Sequence, residues 1–94
     1  MTNQQNAKKI TKEEVFEIVK DSIVSVLECD RDILTMESNF INDLYADSLD
    51  RVNLIVAYED ATKMRIPADM ARELRTIEQA VDYLMKRLCE KQSA

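Results

Sequence analysis

Glycine, tryptophan and histidine are absent from the 94-residue sequence, and Pro67 is its single proline. Glycine and proline supply many of the tight turns between β-strands, and β-branched runs bounded by turn residues are also scarce here. The composition therefore favours helices over hairpins, and we expect an all-α fold. A chain of this length fits one domain and buries roughly 60 to 65% of its unfolded surface, which is enough for one modest core.

The absence of histidine also limits the chemistry that the chain can perform. It removes the usual general base and the Ser-His-Asp and Cys-His arrangements, so enzymes of those kinds are disfavoured. Cys29 and Cys89 lie far apart without CxxC spacing. A zinc site would have to recruit carboxylates from scattered positions, and we expect two idle or buried thiols and no metal site.

Long hydrophobic runs are missing as well. The longest apolar run is a few residues, which predicts no membrane span, and the amino-terminal MTNQQNAKKI lacks the apolar core of a signal peptide. We therefore expect a cytoplasmic or organellar protein, and the cytoplasm is the predicted location. Residues 1–10 are polar and without period, so they are predicted to form a flexible tail before a domain at 11–89, and 90–94 are predicted to fray.

Negative charge is concentrated in one part of the chain. The net charge is −5, but residues 28–60 carry −7 and the remainder carries +2. The acids of this segment are Glu28, Asp30, Asp32, Glu37, Asp43, Asp47, Asp50, Glu59 and Asp60. An acidic face repels nucleic acid and attracts basic protein surfaces, chiefly through association rate and partner choice. The alternative is a solvated face that aids solubility.

Capping signals divide the chain into helices. Thr11 and Glu14 form a capping box, and the helix that follows should end near Glu28. Its apolar stripe consists of Val15, Val19, Ile23, Val26 and Leu27. Residues 29–46 lack a sustained period and should form a long loop packed on the core. The apolar residues available for that packing are Ile33, Leu34, Met36, Phe40, Ile41 and Leu44.

Three further helices are predicted after this loop. One runs from Ser48 to about Lys63 and is apolar over more than one face, which indicates a central helix. Pro67 interrupts the pattern, and residues 68–74 allow a short helix. A second capping box at Thr76 opens a last helix that should end near Leu88. The sum is three main helices and one short helix, with the long loop between the first two.

Ser48 stands out because it should occupy the first turn of the central helix. Asp47 is a good N-cap, Asp50 falls three residues later, and helically spaced apolar residues begin at Leu49. The unsatisfied N–H groups of a helix start and the positive end of its dipole favour a phosphate group. A phosphate ester on the Ser48 hydroxyl would be well placed.

The second half of the sequence resembles the acyl carrier protein family. The resemblance covers roughly residues 40–88 without a gap. It is carried by Leu44, Asp47, Ser48, Leu49, Asp50, Val52, Leu54, Ala57, Glu59, Asp60, Ile66, Pro67, Ala71, Ile77, Ala80, Asp82 and Tyr83. It implies a four-helix acyl-carrier-type bundle and a non-catalytic carrier, and the upstream helix and long loop suit that fold.

The resemblance also implies a modification and a set of partners. In that family the serine of the Asp-Ser-Leu motif, here Ser48, receives phosphopantetheine from coenzyme A and holds acyl groups as thioesters. Partners would be a phosphopantetheinyl transferase and the basic surfaces of acyl-processing enzymes such as ketosynthases and acyltransferases, bound by a monomer. The implied docking residues are Asp47, Leu49, Asp50, Val52, Glu59 and Asp60.

Departures from the family pattern point to a specialised pathway in place of general fatty acid synthesis. Tyr45 stands where glycine is usual, Asn53 replaces an acid, Arg51 replaces a small polar residue, and Thr62 replaces an aromatic. The stretch that follows, often acidic, is net +2. Its basic residues are Lys63, Arg65, Arg72 and Arg75. Tyr45 could be a packing substitution or a partner contact.

Two other functions remain open for the chain. The same fold can carry amino acids or peptides, although peptide carriers more often have histidine where Asp47 stands. An unmodified helical interaction protein could also keep the fold and lack the arm. Phosphopantetheinylation of Ser48 would exclude this last alternative, and the mass of the bound cargo would distinguish the two kinds of carrier.

Overall fold

The computed structural model describes residues 10–93, with side chains through Glu90. The elements in chain order are α1 (Lys12–Leu27), a 3₁₀ turn (Arg31–Ile33), α2 (Ser48–Thr62), α3 (Met70–Glu73) and α4 (Ile77–Ser93). Within this described range there is no strand, only one isolated bridge between Asn39 and Thr76. The predicted all-α bundle of three main helices and one short helix is confirmed, as is the long connection before α2.

Helix α1 begins and ends as the sequence predicts. The Glu14 N–H donates to Thr11 Oγ1 at 3.2 Å and the Thr11 N–H donates to Glu14 Oε1 at 2.8 Å, which completes the capping box. At the other end Glu28 adopts a left-handed conformation and donates its N–H to the Val24 carbonyl. The fully buried side chains of the stripe are Val15, Val19 and Ile23.

Ile10 is the one described residue of the predicted tail, and it packs partly against the core. It precedes the N-cap, and Val15 is the fourth helical residue, so the two occupy the positions that pair in a hydrophobic staple. Ile10 therefore packs with the domain that is predicted for residues 11–89. The rest of the predicted tail, residues 1–9, lies outside the described range.

The long loop is held to the bundle at both of its ends. Arg31 forms ion pairs with Glu17 and Asp21 on α1. Further along, the Phe40 N–H donates to the Arg75 carbonyl at 2.9 Å, and the Ile77 N–H donates to the Ser38 carbonyl at 3.0 Å. These bonds fasten the loop to the start of α4 and fix the path by which the chain reaches α2.

The predicted packing of the loop is right for some apolar residues and wrong for others. Leu34 and Phe40 are buried, but Ile33 and Ile41 are exposed. In the tight 3₁₀ turn Arg31 and Leu34 lie one turn apart facing α1 and the core, so Ile33 points elsewhere. Ile41 lies at the outer corner of a turn in which the Asn39 side chain accepts its N–H at 2.9 Å.

Helix α2 contacts both α1 and α3, which confirms its central place. Its buried face consists of Leu54, Ile55, Tyr58 and Thr62. Thr62 replaces a larger side chain of the family pattern, and its hydroxyl donates to the Tyr58 carbonyl at 2.6 Å. The helix ends at Lys63, which adopts a left-handed conformation and donates its N–H to the Glu59 carbonyl.

Helix α4 is longer than the sequence analysis predicts. Its capping box is present, with the Gln79 N–H donating to Thr76 Oγ1 at 3.2 Å. The helical backbone continues beyond Leu88 to Ser93. Fraying of residues 90–94 stays a prediction. Residues 89–93 include no proline or glycine and several good helix formers, so nothing in them stops the helix. In the described range no helix is both long and apolar enough to cross a membrane.

Candidate functional site

Ser48 is the first residue of α2, and it is exposed. Before it, Asp47 is extended, and its Oδ1 accepts the Asp50 N–H at 2.7 Å. The Asp50 carboxylate in turn accepts the Asp47 N–H at 3.2 Å. The predicted N-cap role of Asp47 is confirmed, and both acids hold the helix start that presents the serine.

The segment before Ser48 is also fixed. The Ala46 N–H donates to the Phe40 carbonyl at 2.8 Å, and Ala46 is buried, so the chain is anchored two residues before the serine. Tyr45 has a φ of 57° and is 84% exposed. This exposure excludes a packing substitution. The left-handed conformation also explains why glycine suits this position.

An apolar stripe of α2 faces solvent beside the serine. Leu49 is 68% exposed, Val52 is 37% exposed and Val56 is 48% exposed. Their spacing places them on one side of the helix, opposite the buried residues. Helical spacing predicts such a stripe but does not tell which apolar stripe of a helix enters the core. The exposed position of Leu49 and Val52 is compatible with docking.

The two acids near the end of α2 have different environments. The Glu59 Oε2 accepts the Ile66 N–H at 2.7 Å, so this half-buried side chain ties α2 to the segment before Pro67. Asp60 is exposed to solvent. The structure therefore gives Glu59 a structural role that the sequence analysis missed. Asp60 remains the acid on this part of the helix that is most open to a partner.

A groove runs from Ser48 between α2 and the segment that contains α3. Its walls include Arg51 and Arg72, with Val52, Ala68 and Ala71 between them and Asp69 at the edge. Arg72 pairs with Asp69 at 3.6 Å, and both side chains are largely exposed. The sequence analysis noted Arg51 and Arg72 only as departures from a pattern. Arg51 lies three residues after Ser48, and this spacing could have placed it on the same face.

Other kinds of site are not formed in the described part of the chain. Among residues 10–93, no group of three or more histidine, cysteine, aspartate or glutamate side chains is placed to hold a metal ion. Cys29 is half-buried and Cys89 is exposed. The residues that converge in this fold are therefore those around Ser48.

A helical bundle that presents an exposed, capped serine at the start of its central helix has the architecture of a small carrier domain. The family model described as the phosphopantetheine attachment site matches residues 17–84, which is more than half of the chain. The chain belongs to the acyl carrier protein family. Members of this family hold a phosphopantetheine group covalently.

Curated relatives agree with the family model. An acyl carrier protein of Picosynechococcus sp. is 41% identical over 75 residues, covering 80% of this chain and 93% of the relative. That of Guillardia theta is 39% identical over 79 residues, covering 84% and 98% respectively. That of Amoebophilus asiaticus is 45% identical over 78 residues, covering 83% and 98%. The similarity thus spans nearly the whole length of these relatives.

The surroundings of Ser48 fit a phosphate-linked arm. The first N–H groups of α2 have no partners within the helix, and the dipole is positive at this end. The guanidinium groups of Arg51 and Arg72 line the adjacent groove and offset the negative charge of Asp47 and Asp50. The small side chains Ala68 and Ala71 leave the groove open. A bound arm would supply a thiol that holds an acyl group as a thioester.

Proposed function

We propose that Ser48 is the attachment point of phosphopantetheine and that the chain delivers acyl groups to biosynthetic enzymes. The observation that carries this proposal is the exposed position of Ser48 at the capped start of α2. Asp47 and Asp50 hold the serine in place by their reciprocal hydrogen bonds, so the hydroxyl is offered to a transferase in a fixed orientation. The protein itself contributes a rigid anchor and no catalytic group.

Docking would use the exposed face of α2. Leu49 and Val52 provide an apolar contact near the serine, and Asp60 adds negative charge about two turns beyond Val52. Asp47, Asp50 and Glu59 add to the same acidic field although they are engaged in hydrogen bonds. Basic surfaces of a phosphopantetheinyl transferase, ketosynthases and acyltransferases suit this face. Ion pairs between these acids and a basic partner surface would be exposed to solvent and screened by salt, which favours fast association and easy release.

The pathway served is proposed to be a specialised lipid or polyketide-like one. Three features of the docking side support this: an exposed aromatic ring at Tyr45, a neutral Asn53 on the exposed face, and Arg51 in the groove beside the serine. A partner whose basic surface complements a uniformly acidic helix would find a neutral residue at Asn53 and a positive charge at Arg51 here. General fatty acid synthesis is the alternative that cargo analysis would reveal.

The location, oligomeric state and domain limits of the protein belong to the same proposal. We infer a cytoplasmic, monomeric carrier whose domain corresponds to residues 11–89, with Ile10 added by its packing on the core. Its negative charge disfavours nucleic acid as a partner.

The direct test is the intact mass of the full chain after incubation with coenzyme A and a broad-specificity phosphopantetheinyl transferase. We expect the gain of one phosphopantetheine, mapped to Ser48 by peptide analysis. Ser48→Ala should gain nothing and unfold at the same temperature as the unchanged chain, because an exposed hydroxyl contributes little to the core. Ser25→Ala, a matched change at an exposed serine on α1, should load normally.

Several outcomes would contradict the proposal. An unmodified Ser48 with the fold intact and several transferases tried would favour the helical interaction protein. Loading of Ser48→Ala would place the arm on another residue. Aminoacyl or peptidyl groups on protein purified from its host would support a peptide carrier. Acyl groups would support the proposed class and identify the pathway.

A further inference from the structure

A second groove shares two of its walls, Arg51 and Arg72, with the groove at Ser48. Its volume is about 410 Å³, and its other walls come from the long loop and from the residue before Thr76. These other walls are Asn39, Ile41, Asn42 and Arg75. Every charged side chain that lines the second groove is therefore an arginine.

The positive charge of the second groove is mostly left without a counter-charge by the protein. Arg51 and Arg75 form no ion pair with the described residues, and Arg72 forms one, with Asp69 at 3.6 Å, in which both side chains are largely exposed. The nearby Asp43 uses a carboxylate oxygen to accept the Asn39 N–H at 2.8 Å. Like charges gathered in one place repel each other, and a bound anion offsets this repulsion.

The arginines of the second groove are carried by segments that are fastened to one another. The Phe40 N–H donates to the Arg75 carbonyl at 2.9 Å, and the Arg75 N–H donates to Gln79 Oε1 at 2.7 Å. Arg51 is half-buried and its Nε is shielded from solvent, which limits where its guanidinium group can lie. A site that is already held in shape loses little conformational entropy when it binds.

The chemistry of the second groove suits carboxylates carried on a peptide segment. The planar guanidinium group donates two parallel hydrogen bonds to one carboxylate, so several arginines suit several acidic side chains. Ile41 is 43% exposed at the groove and offers an apolar contact to the rest of such a segment. The net charge of −5 repels a polyanion such as nucleic acid. A short acidic segment set in an otherwise basic protein surface avoids that repulsion.

Building on the proposed carrier function, we propose that the second groove receives an acidic segment of the enzyme that docks at Ser48. Aspartate or glutamate carboxylates of that segment accept hydrogen bonds from Arg51, Arg72 and Arg75, while the basic surface of the same enzyme meets the acids of α2. Two patches of opposite sign then fix the orientation of the enzyme over the serine. An enzyme with a uniformly basic surface would place positive charge against these arginines and be disfavoured.

The test uses a blocked peptide in which three glutamates are separated by alanines, and a control peptide with glutamine in place of each glutamate. Each peptide is titrated at low salt into the ¹⁵N-labelled full chain, and NMR follows the arginine Nε–Hε resonances. We expect the glutamate peptide to shift the resonances of Arg51, Arg72 and Arg75 and the glutamine peptide to leave them unchanged. Added salt should weaken the binding, because ions screen exposed charges.

A pair of double variants tests whether the position of the arginines matters. Arg72→Gln combined with Arg75→Gln removes two exposed charges from the second groove and should weaken binding of the glutamate peptide about fivefold. Arg65→Gln combined with Lys86→Gln removes the same charge at two exposed residues outside this groove and should bind like the unchanged chain. Equal weakening in both double variants would show a response to net charge alone and overturn the inference.

Three further outcomes would also overturn it. One is the absence of any shift with the glutamate peptide. Another is an equal response to inorganic phosphate at the same concentration, which would identify a general anion site. The third is a shift of the same arginine resonances when the concentration of the chain alone is raised, which would make the second groove an interface between copies of this chain.

Failure of the two proposals can be told apart, because peptide binding is measured on the chain without its arm. If the chain loads at Ser48 but does not bind the glutamate peptide, only the inference about the second groove is wrong. If no arm is added to Ser48, the carrier function and the enzyme partner are both wrong, whatever the peptide does.

Discussion

Three residues of the described chain, Glu28, Tyr45 and Lys63, have left-handed backbone conformations although none is glycine. Glu28 and Lys63 end α1 and α2, where a left-handed residue is usual because it satisfies the last carbonyl groups. Tyr45 lies three residues before Ser48 and has no helix end to cap. Because the sequence lacks glycine, residues with a Cβ occupy these strained positions.

Tyr45 offers a test of this strain. Tyr45→Gly should be about 1 kcal/mol more stable than Tyr45→Ala, because only glycine adopts a positive φ without a steric cost. Urea denaturation of both variants measures the difference in their unfolding free energies. Both variants lack the exposed Tyr45 ring, so its loss does not contribute to this difference. Equal stability of the two variants would show that the left-handed conformation costs nothing here.

Glu59 and Asp60 are adjacent acids with different expected roles. Glu59→Ala should lose about 1.5 to 2 kcal/mol of unfolding free energy, because the Ile66 N–H loses a charged acceptor in a partly buried place. Asp60→Ala, the matched change at the exposed neighbour, should stay within about 0.5 kcal/mol. Chemical denaturation of the two variants measures their unfolding free energies. Similar losses in both variants would contradict the structural role of Glu59.

At the scale of elements, Arg31 connects the 3₁₀ turn to α1. Its guanidinium contacts Glu17 and Asp21, which lie one turn apart on the helix, and Lys20 lies 3.0 Å from Glu17. Hydrogen bonds from Lys20 and then Arg31 lower the pKa of Glu17 below its ordinary value of 4.5. The start of the long loop is thus fastened by charge, whereas its later part is fastened by backbone hydrogen bonds to α4.

The lowered pKa of Glu17 predicts how the stability of this connection depends on pH. A carboxyl group with a depressed folded pKa contributes its stability above the unfolded value of 4.5 and loses it as the pH falls through the folded value. Glu17→Gln should therefore have a lower thermal midpoint than the unchanged chain above pH 4.5. The two midpoints should converge in stronger acid. A constant difference across this range would exclude the titration of Glu17 as the cause.

For the whole molecule, charge is distributed unequally between residues 28–60 and the rest of the chain. The acidic segment 28–60 carries −7 and contains the exposed face of α2, while the remainder carries +2. Arg51, Arg72 and Arg75 gather in a second groove near the loop at Asn39, next to the groove of Ser48. The acidic segment therefore has a basic border at these arginines.

Salt dependence tests whether this field steers partners. Asp60→Lys should slow phosphopantetheinylation about tenfold at low salt and much less at high salt, because ions screen exposed charges. Glu37→Lys makes the same charge change in the loop before α2 and should have a smaller effect. The rate is measured by the appearance of modified mass. An equal loss at both salt concentrations would count against steering by Asp60.

Much of the architecture could be predicted because its signals are local. The capping boxes at Thr11 and Thr76 and the N-cap at Asp47 each use side chains within one turn, so spacing alone identifies them. The Asp47 N-cap, with Asp50 three residues later, placed Ser48 at the start of α2 for the same reason. The end of α4 was less predictable, because no residue after Leu88 opposes the helix.

The sequence by itself determined the helices, their starts and the exposed serine, since these depend on neighbours along the chain. Only the tertiary structure decided which apolar stripe of α2 is buried, because Leu49 and Leu54 are equally apolar and differ only in what packs against them. It also decided that Glu59 is bound to Ile66 and that Arg51 and Tyr58 share a cavity with Phe40 and Leu74. These contacts join segments that lie far apart in the sequence, so the local spacing of residues does not predict them.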